Sequence, residues 1–251
     1  MNINILTLFP EMFAAVTTSS MLGRAAHKDL LDVRLVNIRD HTVDKHRRVD
    51  DSPFGGGAGM VLTPDPVFRA MESLDATGKK IYMSPRGAML DYAKIKALAR
   101  EEVLTIFCGH YEGADQRILD YWGMEEISIG DYILTGGEPA AMVLIDAVCR
   151  MIPGVLGESR SIDEESIYSG LLEYPQYTKP RNYRGMEVPE VLVNGNHALI
   201  RLWQLEESLT LTKNKRPDLL ENFCAAQGDG LSKKEAALLK KILFDRRADL
   251  V

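Results

Sequence analysis

Two hydrophobic periods take turns along the first two-thirds of the chain. Asn2 to Phe9 alternates polar and apolar residues, the period-two pattern of a strand, and runs at Pro10 into a helical stretch reaching about Ala26. Leu31 to Asn37, Lys80 to Met83, Val103 to Cys108 and Met124 to Ile129 read as further strands. Helical stretches fill the spaces between them. Thr63-Pro64 opens one that ends near Leu74, Asp91 starts another to Ala99, a third runs from about Ala114 to Trp122, and Pro139 heads the apolar run Ala140 to Met151. This alternation predicts an α/β fold with a mostly parallel sheet flanked by helices.

Three of the strands run into short loops: Ser84-Pro85-Arg86-Gly87, Gly109-His110-Tyr111-Glu112-Gly113, and Gly130 to Gly137. Open parallel sheets bind ligands beyond the carboxyl ends of their strands, and all three loops fall on that edge. The third holds three glycines, which allow close approach of a ligand to the backbone, and it ends where the first free amides of a helix point outward. Taken singly, each is also readable as an ordinary strand-to-helix connection. Together they predict a ligand crevice. The glycine spacing fits neither the dinucleotide fingerprint nor the phosphate-binding P-loop.

The last third of the chain has another character. Gly157 to Gly170 is polar, with Ser159, Ser161 and Ser166 among Asp163, Glu164 and Glu165, and reads as a linker. Leu171 to Arg184 carries Pro175, Tyr177 and Pro180 and reads as extended, with a short strand expected at Val191 to Val193. Asn194-Gly195-Asn196 is a turn capping a helix from His197 to about Leu211. Pro217 to Phe223 and Ser232 to Ala248 follow, the latter opened by the capping box Ser232 with Glu235. The expected organisation is a domain over 1–157, a linker over 158–174 and a small, mainly helical domain over 175–251.

Composition narrows the class. The 251 residues suffice for two domains with real cores. Cys108, Cys149 and Cys224 lie far apart with no Cys-x-x-Cys spacing, which argues against a disulfide framework and against metal sites; no metal ligand is assigned. The amino terminus is unlike a signal peptide and no apolar run approaches a membrane span, so a reduced, cytoplasmic, non-membrane protein is expected. The net charge of −6 conceals an asymmetry: 13 basic against 10 acidic residues from Gln176 onward, 17 against 26 before it. Within the acidic part, Arg34, Arg39, Lys45, Arg47 and Arg48 cluster with His41 and His46. Such a patch holds a polyanion or is a solvated face; composition leaves both open. The cluster belongs to Ile38 to Met60, a stretch without period that ends in Pro53-Phe54-Gly55-Gly56-Gly57-Ala58-Gly59-Met60, and loops of that length in compact domains are usually functional or disordered.

A set of motifs carries a family resemblance: Leu8-Phe9-Pro10-Glu11-Met12-Phe13, Asp44-Lys45-His46 through Val49-Asp50-Asp51 to Gly55-Gly56-Gly57, Ser84-Pro85, Cys108 to Gly113, Ser128 to Glu138, Ile152-Pro153-Gly154-Val155-Leu156-Gly157, Gly170 to Thr178 and Gly195-Asn196-His197. In this order, over nearly the full chain, they resemble the bacterial tRNA (guanine-N1)-methyltransferases, which act at position 37 beside the anticodon. The resemblance implies a SPOUT-type fold whose chain forms a trefoil knot at the S-adenosylmethionine site, and a homodimer with active sites between subunits. It assigns the cofactor pocket to Tyr82, Ser84, Pro85, Gly109, Tyr111, Glu112, Gly113, Ile129, Gly130, Tyr132, Leu134, Gly136 and Gly137, and tRNA or target-base binding to Arg24, His46 and Asp50. A magnesium ion is an open addition. The carboxyl-terminal helices become a tRNA-binding domain.

The chemistry requires a base for the weakly acidic N1 proton of guanine and a cation for the charge that develops on the ring. The resemblance places an arginine at Arg150 and an aspartate where this chain has Glu165, a departure that leaves Asp163 as competitor for the base. Read without the resemblance, Arg150 is a cation complementing a helix carboxyl end, and Glu112 a helix-start carboxylate. Two other classes stay in view: a knotted methyltransferase of ribosomal RNA or ribose, and a non-catalytic RNA-binding protein of the same fold.

Overall fold

The structure is a computed structural model and describes residues 1–74, 77–156, 167, 169–226 and 230–244. The chain divides into two compact units, Met1–Ser159 and Arg160–Val251.

The first unit is built on five parallel strands: β1 (Asn2–Thr7), β2 (Asp32–Asn37), β5 (Lys79–Met89), β6 (Val103–Cys108) and β7 (Glu125–Ser128), in the spatial order β2-β1-β6-β5-β7. The period-two side-chain alternation feeds two cores, one on each face of the sheet. Ile3, Ile5, Ile81, Met83, Leu104, Ile106 and Ile127 point to one face. There they meet Leu22 and Ala25 of α2 (Ser20–His27), Ile95 and Leu98 of α4 (Tyr92–Leu98), and Ala141, Leu144, Ile145 and Val148 of α6 (Glu138–Cys149). Leu6, Tyr82 and Phe107 point the other way, onto Val67, Ala70 and Met71 of α3 (Pro64–Glu72) and Ile118 and Leu119 of α5 (Gln116–Trp122). Burial on both faces is why Val103–Cys108 is apolar almost throughout.

Local signals set the ends of these elements. The side chains of Asp91 and Asp115 accept from the amides of Lys94 and Arg117, and Gly123 closes α5 in the left-handed conformation at φ 57°. The helix expected from Pro10 to Ala26 is instead three pieces: a 3-10 turn at Pro10–Phe13, α1 (Ala14–Thr18) and α2. The Thr17-Thr18-Ser19-Ser20 run is the cause. Thr17 and Thr18 hydroxyls donate back to the carbonyls of Phe13 and Ala14, Ser19 is extended, and Gly23 lets α2 pass where a Cβ would stand 2.4 Å from the Thr18 carbonyl oxygen. Lys79–Met89 is also longer than expected. Ser84 to Gly87 does not follow the strand but sits inside it, in an irregularity between Met83 and Ala88 where pairing with β7 shifts register.

The unperiodic stretch 38–60 contains a 3-10 turn (Ile38–His41) and the first strand of a small antiparallel hairpin, β3 (Asp50–Asp51) with β4 (Val61–Leu62). In the second unit, α7 (His197–Lys215), α8 (Pro217–Ala226) and α9 (Lys233–Phe244) surround Leu171, Leu209, Leu220, Phe223 and Ile242. Asn196 caps α7, and the Ser232–Glu235 capping box closes reciprocally at 2.8 and 3.3 Å. The Leu172 amide donates to Thr212 Oγ1 at 2.8 Å, fastening the segment that enters this unit. Glu190–Leu192 is a 3-10 turn rather than the expected strand. It follows Pro189, whose carbonyl accepts from Leu192, and the hairpin pairing falls earlier, at β8 (Asn182–Tyr183) and β9 (Met186–Glu187) around the Arg184-Gly185 turn.

Candidate functional site

At the carboxyl edge of the large sheet the irregularity within β5, the ends of β6 and β7 and the start of α6 enclose a cleft of about 330 Å³. Tyr82, Ser84, Pro85, Gly109, Tyr111, Glu112, Gly113, Ile129, Gly130, Tyr132, Leu134, Gly136 and Gly137 all line it. The loop after β7 is drawn back to the end of β6: the Gly137 amide donates to the Gly109 carbonyl at 2.7 Å, and His110 pairs with Gly136 in an isolated bridge.

Glycine is required here by space. A Cβ at Gly109 would stand 2.4 Å from Oη of Tyr82, and one at Gly136 would stand 2.4 Å from Oε2 of Glu138 and 2.7 Å from Nδ1 of His110. At Gly137 the obstruction is backbone, with Cys108 Cα and the Gly109 nitrogen both at 2.9 Å. Backbone cannot swing aside as a side chain can. Gly137→Ala is therefore expected to displace the loop and weaken ligand binding in the cleft by about 5- to 150-fold, the range for an overpacked site, measured by calorimetry with S-adenosylmethionine.

Polar side chains beyond the thirteen expected cofactor residues hold the cleft. Ser128 Oγ donates to the Gly130 carbonyl and accepts from its amide, at 3.1 and 3.2 Å, folding the loop back on itself. Thr7 Oγ1 donates to Oε1 of Glu138 at 2.7 Å, tying the end of β1 to the first turn of α6; both residues are buried. Arg86 joins Glu126 and Gln116 across the mouth of the strand irregularity. The loop motifs contain Ser128, Arg86 and His110, so a search for polar side chains flanking the glycines finds them; Thr7 has no local signal. Nδ1 of His110 is buried without a hydrogen-bond partner among the described residues, and it faces the same space as Gly136. A cradle that a Cβ would fill, beside an orphaned polar atom, suits a ligand carrying its own polar groups.

Nucleophilic side chains contribute little. Burial pushes the Cys108 thiol well above its usual range, reinforced by the Glu138 charge, and burial likewise raises Cys149. Tyr82 is raised by burial and then by Glu126. Among the described residues no group of three or more His, Cys, Asp or Glu is placed to hold a metal ion, and no helix is long and apolar enough to cross a membrane.

The hairpin β3–β4 is fastened to the cleft. The Leu62 amide donates to the Gly113 carbonyl, the Asp115 amide to the Leu62 carbonyl and the Glu112 amide to the Met60 carbonyl, each at 3.0 Å. Arg39 Nη2 donates to Tyr111 Oη at 3.3 Å, so the basic segment also touches the rim. Tyr111 itself sits at φ 58°, an unusual conformation for a side chain of its size. His46 is exposed on the basic segment and Asp50 half-buried at the hairpin stem. Within that segment the Arg48 side chain holds the Asp44 carboxyl well below the usual range. Arg24 is exposed on α2.

Of the residues expected to act on the target base, Arg150 does not line the cleft. Arg150 caps the carboxyl end of α6, and the helix spans 12 residues, about 18 Å, from the cleft at its other end. Glu165 and Asp163 lie outside the described residues.

Fold and site together define a parallel α/β protein with a glycine-built ligand cleft at the carboxyl edge of its sheet. Comparison with known proteins makes this specific. Residues 1–222 match the family described as tRNA (Guanine-1)-methyltransferase TrmD. The chain is 50% identical over 251 residues to the tRNA (guanine-N(1)-)-methyltransferase of Alkaliphilus oremlandii, an alignment covering 96% of this chain and 98% of that protein. It is 53% identical over 234 residues to that of Desulforamulus reducens (91% and 92% covered) and 54% identical over 227 residues to that of Brevibacillus brevis (89% and 93% covered). The chain belongs to the tRNA (guanine-1)-methyltransferase family.

Proposed function

We propose that this protein transfers a methyl group from S-adenosylmethionine to N1 of the guanosine at position 37 of tRNA, beside the anticodon, as a cytoplasmic homodimer. The observation that carries the reading is the cleft, where all thirteen residues expected to hold the cofactor surround one cavity of about 330 Å³, in the size range of small-molecule sites. Bound there, S-adenosylmethionine supplies an electrophilic methyl group on a sulfonium centre. The protein's part is to place the guanine and move one proton. A linker carboxylate, assigned to Glu165, takes the N1 proton, and the guanidinium of Arg150 stabilises the negative charge spreading toward O6. Glu112, exposed on the rim, offers a carboxylate to the cationic ligand.

The position of Arg150 supports the homodimer. One chain sets its arginine about 18 Å of helix away from its own cleft, which fits a second copy supplying the arginine. The exposed apolar side chains of Ile133, at 80%, Tyr132 and Val143 on and near α6 offer surface for such a contact. The proposed knot is consistent with the strand order, since β6 inserts between β1 and β5 after β5 is laid down, and the chain after β7 returns to Gly109. The basic segment 39–48 at the rim and the carboxyl-terminal helices are assigned to tRNA.

Incubating the protein with methyl-labelled S-adenosylmethionine and unmodified tRNA transcript, then digesting to nucleosides, tests this. The expected label is in 1-methylguanosine at a single position, with runs in magnesium and in chelator resolving the ion's part. Label in a ribose 2′-O-methyl nucleoside, or none, would overturn the reading.

A further inference from the structure

Phe54 is wholly exposed, at 100%, in the loop closed by the β3–β4 hairpin. The hairpin stem Asp50–Leu62 and Asp51–Val61 closes a loop over 52–60, and that stem is fixed to the cleft through Met60 and Leu62. At its tip Pro53 accepts from the Gly56 amide at 3.3 Å, making a turn with Phe54 at its second position. Gly55, Gly56 and Gly57 follow at φ 89°, 78° and 123°, with open space where their Cβ atoms would be. Among the described residues nothing packs on the ring. Gly59, at φ 90°, brings the returning strand so close to Glu112 that a Cβ would stand 2.6 Å from its Oε1. The aromatic ring is thus carried, uncovered, on a loop whose returning strand is anchored to the rim of the cleft.

The surroundings indicate what the ring meets. Preceding the hairpin in the chain are Lys45, His46, Arg47 and Arg48, all exposed, and Arg39, which reaches Tyr111 on the rim. A planar apolar face beside cations is the arrangement that binds single-stranded nucleic acid, where cations hold phosphates and aromatics stack on bases. A methyl acceptor at guanine N1 also requires a base whose Watson–Crick edge is free, hence one that is unpaired. We infer that Phe54 is a stacking platform for an unpaired base of the RNA substrate, holding the strand at the rim while the cleft acts on a neighbouring base. This rests on the tRNA reading of the same site.

The test titrates fluorescein-labelled, unmodified tRNA transcript with full-length protein and its variants at several salt concentrations. Phe54→Ala is expected to weaken binding by about 5- to 150-fold, the range for losing one stacked base, with Phe54→Tyr and Phe54→Trp within about twofold of the unaltered protein and Phe54→Leu close to Phe54→Ala. The salt dependence of Phe54→Ala should keep its slope, since no charge is lost, whereas Arg47→Ala should reduce it by about one. Calorimetry with S-adenosylmethionine should not distinguish Phe54→Ala from the unaltered protein. Unchanged tRNA affinity in Phe54→Ala, full affinity in Phe54→Leu, or a shift of Phe54→Ala to monomer in sedimentation overturns the inference, the last by assigning the ring to contact between copies. Failure of the unaltered protein to bind the transcript overturns the tRNA reading itself, and this inference with it.

Discussion

Co-expressing Gly136→Val with Arg150→Ala, each inactive alone, is expected to restore about a quarter of the unaltered protein's activity. In Gly136→Val the added side chain occupies the space between Oε2 of Glu138 and Nδ1 of His110, which closes the cleft from within. In Arg150→Ala the cleft is intact, but the cation at the other end of α6 is gone. Random pairing makes half the dimers hybrid, and each hybrid has one site that joins an unaltered cleft to an unaltered arginine. Co-expression is needed because chains already paired would exchange slowly. Methyl transfer to tRNA transcript gives the measurement, about a quarter for the co-expressed mixture and about half for hybrid dimers purified through two affinity tags. Hybrids as inactive as their parents would mean that cleft and arginine act in one chain, against the distance that α6 imposes between them.

That distance marks where the sequence was legible and where it was not. The strands Val103–Cys108 and Asp32–Asn37 and the caps Asp91, Asn196 and Ser232 were readable because each depends on residues within a few positions. The loops after β6 and β7 were readable as one crevice because parallel connectivity alone places those strand ends on the same edge, whereas Ser84 to Gly87, read as a third such loop, lies inside β5. The strand order was not, since neighbours such as β1 and β6 are a hundred residues apart and nothing in either names the other. The broken first helix was missed because hydroxyl side chains bonding back to carbonyls compete with a helical pattern that Met12, Phe13 and Val16 otherwise suggest. Thr7 and Glu138 were missed for another reason. Their hydrogen bond joins residues 131 positions apart, so nothing near either one in the chain points to the other. Knot, dimer and cofactor identity came from resemblance, which no local period encodes.

The departure at Glu165 yields the other large effect. If this carboxylate accepts the N1 proton, Glu165→Gln keeps the size and hydrogen-bonding capacity of the side chain but cannot take the proton, so methyl transfer in a single turnover is expected to slow by roughly 10²- to 10⁴-fold. Affinity for S-adenosylmethionine should stay unchanged, because the cleft is lined by residues between Tyr82 and Ala140. Glu165→Asp should remain substantially active, since it restores the residue that the family resemblance places here, on an arm one methylene shorter. Asp163→Asn should have a mild effect. The pH profile adds a readout that misfolding would not mimic: the rate of the unaltered protein should rise with pH as the carboxylate loses its proton, and Glu165→Gln should lose that limb. A severe loss in Asp163→Asn beside a mild one in Glu165→Gln would move the base two residues toward the amino terminus and shift the register of the linker against the family pattern. Mild effects in both would leave Arg150 as the protein group acting on the guanine and assign the proton to a solvent hydroxide.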